Sequence, residues 1–246
     1  MKIDPLAQFN VKALYPLLIG GIDITFTNVA AYMILSVALI LAILGFLTRS
    51  SSLFPTRGQM AVELLFDFLS SMIKTYAGRE GLPYAPLVFC LFLFIGMGNL
   101  LGLLPYAYTV TSQIVVTFSL ACIIFVSVTV IGLVKHGWGF FRLFLPEGIP
   151  VYVAPLLIPV EIISYFSRPV SLSVRLFANM VAGHVMLKIF TAFAALLAGG
   201  WFAPGVIFPV IITISLFAFE FLVAILQAYV FTILTCIYLN DALHLH

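Results

Sequence analysis

Charged side chains are scarce in this sequence, and that scarcity excludes most soluble folds. Only 8% of the 246 residues are Asp, Glu, Lys or Arg, whereas 63% are hydrophobic, and the mean hydropathy is +1.23. A soluble globular domain carries about 25% charged residues. The formal net charge of +2 is small and its basic residues are scattered, so we expect no nucleic-acid partner. The composition indicates a polytopic membrane protein.

CxxC pairs and internal repeats are also lacking, and we expect no cleavable leader. The three cysteines lie inside apolar runs without a CxxC pair, so we interpret them as small core residues and expect no metal or cofactor. No repeat of fixed period is visible, which disfavours inverted-repeat transporters. The N-terminal segment has no apolar core followed by a small-residue cleavage site. With no linker dividing the chain, we expect one membrane domain over residues 1–246.

Long apolar segments predict the transmembrane helices. About 20 mostly apolar residues in a helix cross a hydrocarbon core of about 30 Å. Five segments meet this requirement, at residues 28–47, 85–104, 113–134, 153–198 and 206–240. The last two exceed one perpendicular crossing, so we expect them to tilt, bend or extend beyond the bilayer. Candidate bends are Pro155, Pro159, Pro169 and Pro209.

Residues 55–80 follow a different pattern. Polar residues recur there at spacings of 4, 3 and 4, from Glu63 through Asp67 and Ser70 to Lys74, which predicts an amphipathic helix. This helix lies in the membrane interface or packs on the protein outside the membrane. The predicted fold class is therefore an all-α membrane protein with about five membrane-embedded helices and one interfacial helix.

The loop charges predict an orientation. Lys and Arg occur in residues 48–84 and 135–152, whereas residues 105–112 and 199–205 contain neither. The positive-inside rule places the charged loops on the inner side of the membrane. We therefore expect the N-terminus outside and the C-terminus inside.

Arg175 stands in the middle of the fourth predicted span. An arginine at the bilayer centre costs about 3 kcal/mol on insertion scales, which makes it a functional-site candidate. At 100° per residue, Ser171, Ala178 and Ala182 lie within about 60° of it. Such a stripe of small residues lets another helix approach closely. The alternative is a structural ion pair between Arg175 and an acidic residue of the same chain.

Titratable residues near this span are suited to proton transfer. His184 is about 180° round the helix from Arg175, so it points away from the arginine. On the last span, Glu220 and Gln227 share a face. That face meets His184 if the two long helices form a hairpin. Histidine and a buried carboxyl can exchange protons near neutral pH, whereas arginine keeps its proton. We therefore expect Arg175 to attract or block a proton carrier.

Structural interpretations of the same residues stay open. His184 could be a hydrogen-bonded core histidine. Glu161 or Glu220 could be the ion-pair partner of Arg175. Glu161 lies fourteen residues before Arg175 and could serve an inner-side water access, or it could pair locally with Arg168.

Five segments of the chain resemble one known family. They are RPVSLSVRLFANMVAGH (168–184), FEFLVAILQAYVFTILTCIYLNDA (219–242), GNLLGLLP (98–105), KHGWGFF (135–141) and DPLAQF (4–9). Together they are similar to subunit a of the rotary F-type ATP synthase, in its mitochondrial and alphaproteobacterial branch, over essentially the whole chain. The resemblance implies a non-catalytic, proton-translocating stator subunit in a bacterial or mitochondrial inner membrane.

The resemblance also implies partners and site residues. The long hairpin would curve around a rotor ring of c subunits, with Arg175 facing the ring carboxylates, and peripheral-stalk b-type subunits, other ATP synthase subunits and the lipid bilayer would be its other partners. Two offset half-channels would reach the ring from opposite sides, with Glu161 in the inner one. The outer one would contain Glu220, His184, Asn179, Gln227 and Asn99. Gly102 stands where some bacterial members have a carboxylate.

Three other functions compete with this one. The first is a secondary transporter or channel that binds its own substrate at Arg175. The second is a redox subunit, although histidines at 136, 184, 244 and 246 do not give the paired axial ligands on facing spans that two haems need. The third is a purely structural subunit, in which apolar residues could replace the arginine and the Glu/His pair.

Overall fold

The structure is a computed structural model, and helices dominate the part of the chain that it describes. It describes residues 9–16, 18–19, 22–23, 25–49, 56–104, 107–144, 154–198 and 203–244. The helices are α1 (Asn28–Leu47), α2 (Arg57–Tyr76), α3 (Ala85–Gly102), α4 (Ile114–His136), α5 (Ala154–Ala198) and α6 (Ile207–Leu243). Short 3-10 segments occupy Arg79–Tyr84, Val110–Ser112, Gly137–Phe144 and Ala203–Val206.

Five segments are long and apolar enough to cross a membrane. They are Asn28–Leu47, Arg79–Gly102, Ile114–Phe140, Pro155–Ala198 and Ile207–Leu243. Between 6% and 39% of each segment's most apolar window is buried inside the chain. A water-soluble protein would bury such surface, whereas a membrane protein can expose it to lipid or to neighbouring subunits. The predicted class, an all-α membrane protein with five spans, is confirmed.

The amphipathic helix is shorter than predicted. The pattern predicted residues 55–80, whereas α2 covers Arg57–Tyr76, and residue 55 lies outside the described residues. Gly78 adopts a φ of 71°, a left-handed conformation that ends helices, and a 3-10 segment follows it. The Thr56 hydroxyl caps the other end by accepting from the Gln59 backbone N–H at 3.4 Å, which satisfies one of the helix's free donors.

The prolines of the long helices do not end them. Pro159 and Pro169 lie inside α5, which is assigned as one helix from Ala154 to Ala198. Pro155 and Pro209 lie in the first turns of α5 and α6. Backbone N–H groups in a first turn form no intrahelical hydrogen bond, so a proline there costs none. The lengths of the two helices, 45 and 37 residues, agree with the expected long spans.

Two short antiparallel strand pairs precede α1, and the sequence pattern did not predict them. β1 (Ala13–Tyr15) pairs with β4 (Phe26–Thr27), and β2 (Leu18–Ile19) pairs with β3 (Ile22–Asp23). Strands of two or three residues are too short for apolar alternation to reveal them.

The chain contains two compact units, and the first comprises residues 1–41, 94–114 and 176–228. Leu103, Met180 and Ala224 form a buried cluster there, with Leu100 packed against it. The segment before α1 contacts residues 108–113, because the Tyr108 hydroxyl and the Gln113 side chain both donate to the Phe9 carbonyl. This unit contains Asn99 of α3, His184 of α5 and Glu220 of α6.

The second unit comprises residues 42–93, 115–175 and 229–246. Its core joins the apolar side of α2, including Leu69 and Ile73, to Val88 of α3 and Leu239 of α6. Glu63, Asp67 and Lys74 of α2 are exposed. The structure therefore packs α2 against the protein, while the position of this helix relative to the membrane interface stays a prediction.

Candidate functional site

The first unit brings His184 of α5 and Glu220 of α6 together. The Nδ1 atom of His184 lies 3.5 Å from Oε1 of Glu220, and the two side chains are 11% and 3% exposed. A glycine makes this approach possible, because a β-carbon at position 183 would lie 2.7 Å from Oε1 and 3.0 Å from the carboxyl carbon. The close packing of α5 and α6 around Gly183 thus sets the distance between the imidazole and the carboxyl.

The carboxyl of Glu220 has no other polar contact among the residues described. Both of its oxygens are buried without a hydrogen-bond partner there. Leaving a buried polar group unsatisfied costs about 1–3 kcal/mol, and unsatisfied groups of this kind are often catalytic or meet an ion or water. Both oxygens therefore remain available for proton exchange.

Thr109 contacts the other ring nitrogen of the histidine. Its Oγ1 atom lies 2.8 Å from Nε2 of His184, and Thr109 is buried. The ring of Phe9 packs edge-on against the imidazole, with centroids 6.3 Å apart. Sequence reasoning missed Thr109, because 75 residues separate it from His184. The polar run TVTSQ at 109–113, between two apolar spans, was a signal that could have found it.

Asn99 lies in the same unit and is fully buried. Its Nδ2 donates to the Ala224 carbonyl at 3.1 Å, and its Oδ1 accepts from the Thr111 hydroxyl at 2.7 Å. These bonds join α3 to α6 one turn from Glu220 and anchor the 109–113 segment. In the neighbouring loop, burial raises the pKa of the Tyr108 phenol, so the phenol keeps the proton that it donates to the Phe9 carbonyl.

Asn179 and Gln227, the other predicted outer-channel residues, form no hydrogen bond with the pair within the described residues. Asn179 is exposed on α5 and Gln227 is half-buried on α6. Neither side chain hydrogen-bonds to His184 or Glu220 in the described part of the chain. Their participation stays a prediction.

Arg175 is exposed, and so are the small residues that the helical spacing put beside it. Ser171, Ala178 and Ala182 are all exposed positions of α5. The ion pairs among described residues are Lys135–Glu80, Arg168–Asp241, His184–Glu220 and His244–Glu80. Since none of them includes Arg175, the structural ion pair considered above is not observed within the described residues.

Glu161 is not paired with Arg168 either. The Nη1 atom of Arg168 donates to Oδ2 of Asp241 at 2.8 Å, and its guanidinium lies 5.5 Å and 5.0 Å from the ring centroids of Tyr165 and Tyr238. This arrangement differs from the local Glu161–Arg168 pair that the sequence allowed. Glu161 is half-buried in the second unit.

The chemistry of these groups is proton exchange and charge attraction. Among the residues described, no group of three or more His, Cys, Asp or Glu side chains is arranged to hold a metal ion. A proton can pass between an imidazole and a buried carboxyl that lies next to it. An exposed guanidinium on a small-residue surface presents a permanent positive charge to whatever approaches α5.

Comparisons with known proteins identify the family of the chain. The profile of the family described as ATP synthase A chain matches residues 30–240. A protein from Rhizobium rhizogenes named ATP synthase subunit a is 50% identical over 99% of this chain and 98% of its own length. Proteins of the same name from Agrobacterium fabrum and Rhodopseudomonas palustris are 49% and 51% identical, each over 99% of both chains. The chain therefore belongs to the ATP synthase A chain family, the family of ATP synthase subunit a.

Proposed function

We propose that this chain is the proton-translocating stator subunit of an F-type ATP synthase, and that Arg175 faces the carboxylates of its rotor ring. As a member of the family it is a non-catalytic component of the complex. The observation that carries the proposal is an exposed arginine, on a small-residue face of an apolar helix, that pairs with no carboxylate among the described residues. Such a costly charge needs a partner, and because no described residue supplies one, we place the partner on a neighbouring subunit.

The arginine acts through charge attraction. A deprotonated carboxylate of the ring is attracted to Arg175, because opposite charges within about 4–6 Å favour the charged form of an acid. The carboxylate leaves for the lipid only after it takes up a proton, since a charge in hydrocarbon is costly. Ser171, Ala178 and Ala182 leave room for the ring helices to approach the guanidinium. Arg175 itself keeps its proton and so blocks direct leakage past the ring.

The outer half-channel delivers protons through the His184–Glu220 pair. The 3.5 Å separation of Nδ1 and Oε1 supports this role, as does the lack of other partners for the carboxyl among the described residues. Asn99, Asn179 and Gln227 belong to the same route. Glu161, half-buried in the second unit, belongs to the inner half-channel.

The proposed partners follow from the same role. The ring of c subunits meets the Arg175 face, while peripheral-stalk b-type subunits hold the chain against rotation. The remaining apolar surface of the spans meets lipid. The membrane is the energy-coupling membrane, which is the bacterial plasma membrane or the mitochondrial inner membrane.

Replacing Arg175 tests the proposal. Arg175→Ala removes the attraction for the ring carboxylate, so we expect the complete reconstituted complex to lose proton-driven ATP synthesis. The measurement is ATP synthesis in liposomes after an imposed proton gradient. Arg79→Ala is the matched control, because it also removes one exposed positive charge but lies outside the α5 surface; we expect it to synthesise ATP normally.

Two outcomes contradict the proposal. Normal synthesis by Arg175→Ala would remove the central role of the arginine. Transport by the wild-type chain in liposomes without a carboxylate-bearing ring would instead indicate a self-contained transporter. Comparing liposomes with and without the ring separates that function from the one proposed.

A further inference from the structure

We propose that Thr109 is a positioning residue for proton transfer: it holds the imidazole of His184 with Nδ1 toward Glu220, and Gly102 provides the space that it needs. This inference rests on the proposed function, because it assigns a role within the outer proton route. It concerns positions 102 and 109, which are seven residues apart, and position 184, which is 75 residues from Thr109. All three belong to the first unit.

The hydrogen bond of Thr109 fixes which ring nitrogen of His184 faces Glu220. A hydroxyl has one proton to donate and can also accept. Thr109 Oγ1 lies 2.8 Å from Nε2 of His184, a full hydrogen bond, whereas its contact with the Gly102 carbonyl at 3.5 Å is much weaker. The hydroxyl can accept from a protonated Nε2 or donate to an unprotonated one, so it holds Nε2 in both states, and Nδ1 faces Oε1 of Glu220 at 3.5 Å.

This orientation allows His184 to accept a proton from Glu220 at Nδ1 when the neutral ring carries its own proton on Nε2. When the O–H bond of the protonated carboxyl breaks, the N–H bond forms at Nδ1, and the products are a carboxylate and an imidazolium. The reverse transfer restores the acid and the neutral ring. If Nδ1 carried the proton instead, the neutral ring could accept nothing from Glu220.

Hydrogen bonds hold Thr109 and the segment that follows it. The Thr109 carbonyl accepts from the Ser112 hydroxyl at 2.6 Å and from the Ser112 N–H at 3.2 Å. The Thr111 hydroxyl donates to the buried Asn99. A hydroxyl on such a constrained segment stays in place while protons move.

Gly102 makes the position of Thr109 possible. A β-carbon at position 102 would lie 2.5 Å from Cγ2, 2.6 Å from Oγ1 and 2.9 Å from Cβ of Thr109. Any side chain there would displace the threonine from both the Gly102 carbonyl and the histidine. The missing side chain at 102 is therefore a requirement of this hydrogen bond.

The test compares two replacements of the threonine in the complete complex. Thr109→Val keeps the shape and removes the hydroxyl, so we expect proton-driven ATP synthesis to fall about three- to tenfold, the effect of losing one hydrogen bond. Thr109→Ser keeps the hydroxyl and should synthesise ATP within about twofold of the wild type. Rates are normalised to the amount of this chain in the purified complex, which separates function from assembly.

Gly102→Ala is an independent variant. It should cause a loss similar to that of Thr109→Val, and the double variant Gly102→Ala, Thr109→Val should lose little more, because both changes remove the same contact. If Thr109→Ser lost as much as Thr109→Val, the role would be packing, and the inference would be wrong. Additive losses in the double variant would also contradict it.

His184→Gln is measured beside these variants to separate the two proposals. If His184→Gln loses synthesis while Thr109→Val does not, the positioning role is wrong and the proton route stands. Full synthesis by His184→Gln would show instead that the histidine is outside the proton route, which would contradict that part of the proposed function.

Discussion

Replacing Gly183 with alanine places a methyl group against the carboxyl of Glu220. The new β-carbon would lie 2.7 Å from Oε1, 3.0 Å from Cδ and 3.2 Å from Cγ, whereas ordinary contacts begin at 3.4 Å. The carboxyl must therefore move by about 0.7 Å, or α5 and α6 must separate. Either movement changes the 3.5 Å distance between Glu220 and His184.

The expected effect of Gly183→Ala is large because proton transfer depends on geometry. Overpacking of this kind costs about 1–3 kcal/mol, and a misplacement of about 1 Å at a reacting group can cost about 100-fold in rate. A displacement of about 0.7 Å should thus slow proton-driven ATP synthesis about tenfold or more. Helix propensity acts in the opposite direction, since alanine stabilises a helix by about 1 kcal/mol relative to glycine.

The assay is ATP synthesis by the complete reconstituted complex under an imposed proton gradient. Gly45→Ala is the matched control: Gly45 lies in α1, and a methyl group added there would meet nothing within 4 Å, so we expect a normal rate. A normal rate for Gly183→Ala would refute the argument that the separation of His184 and Glu220 limits proton delivery.

Two further predictions concern buried polar groups of the first unit. Glu220→Gln keeps the shape but removes the exchangeable proton, so passive proton conduction through the membrane sector should fall about 100-fold; an unchanged rate and pH dependence of conduction would contradict its place in the route. Asn99→Leu leaves the Ala224 carbonyl and the Thr111 hydroxyl without their partner, which should cost about 1–3 kcal/mol of stability and lower the thermal unfolding midpoint of the chain in the purified complex. An unchanged midpoint would show that these bonds contribute little.

Much of the fold could be predicted because the membrane restricts the possible structures. The span predicted at residues 28–47 has the same bounds as α1, since apolar length alone defines a span. The long spans were predicted for the same reason. The end of α2 was not predicted correctly, because it depends on the backbone conformation of Gly78 and not on the spacing of polar and apolar residues. The two strand pairs before α1 were also missed, since so few residues carry no pattern.

The site was only partly predictable. Helical spacing placed Ser171, Ala178 and Ala182 beside Arg175, and all of these positions are exposed. The assumption of a hairpin placed Glu220 near His184. In the structure Oε1 of Glu220 lies 3.5 Å from Nδ1 of His184. The local Glu161–Arg168 pair that the sequence allowed is not formed, because Arg168 donates instead to Asp241 of α6.

The sequence by itself determined the membrane class, the number of spans and the residues that share a face with Arg175, because apolar length and helical period are local properties of the chain. Tertiary structure alone decided that Thr109 reaches His184, that Gly102 leaves room for it, and that Gly183 lets Glu220 approach the same ring. A contact between residues 75 positions apart depends on how the helices pack, and no local pattern encodes that packing.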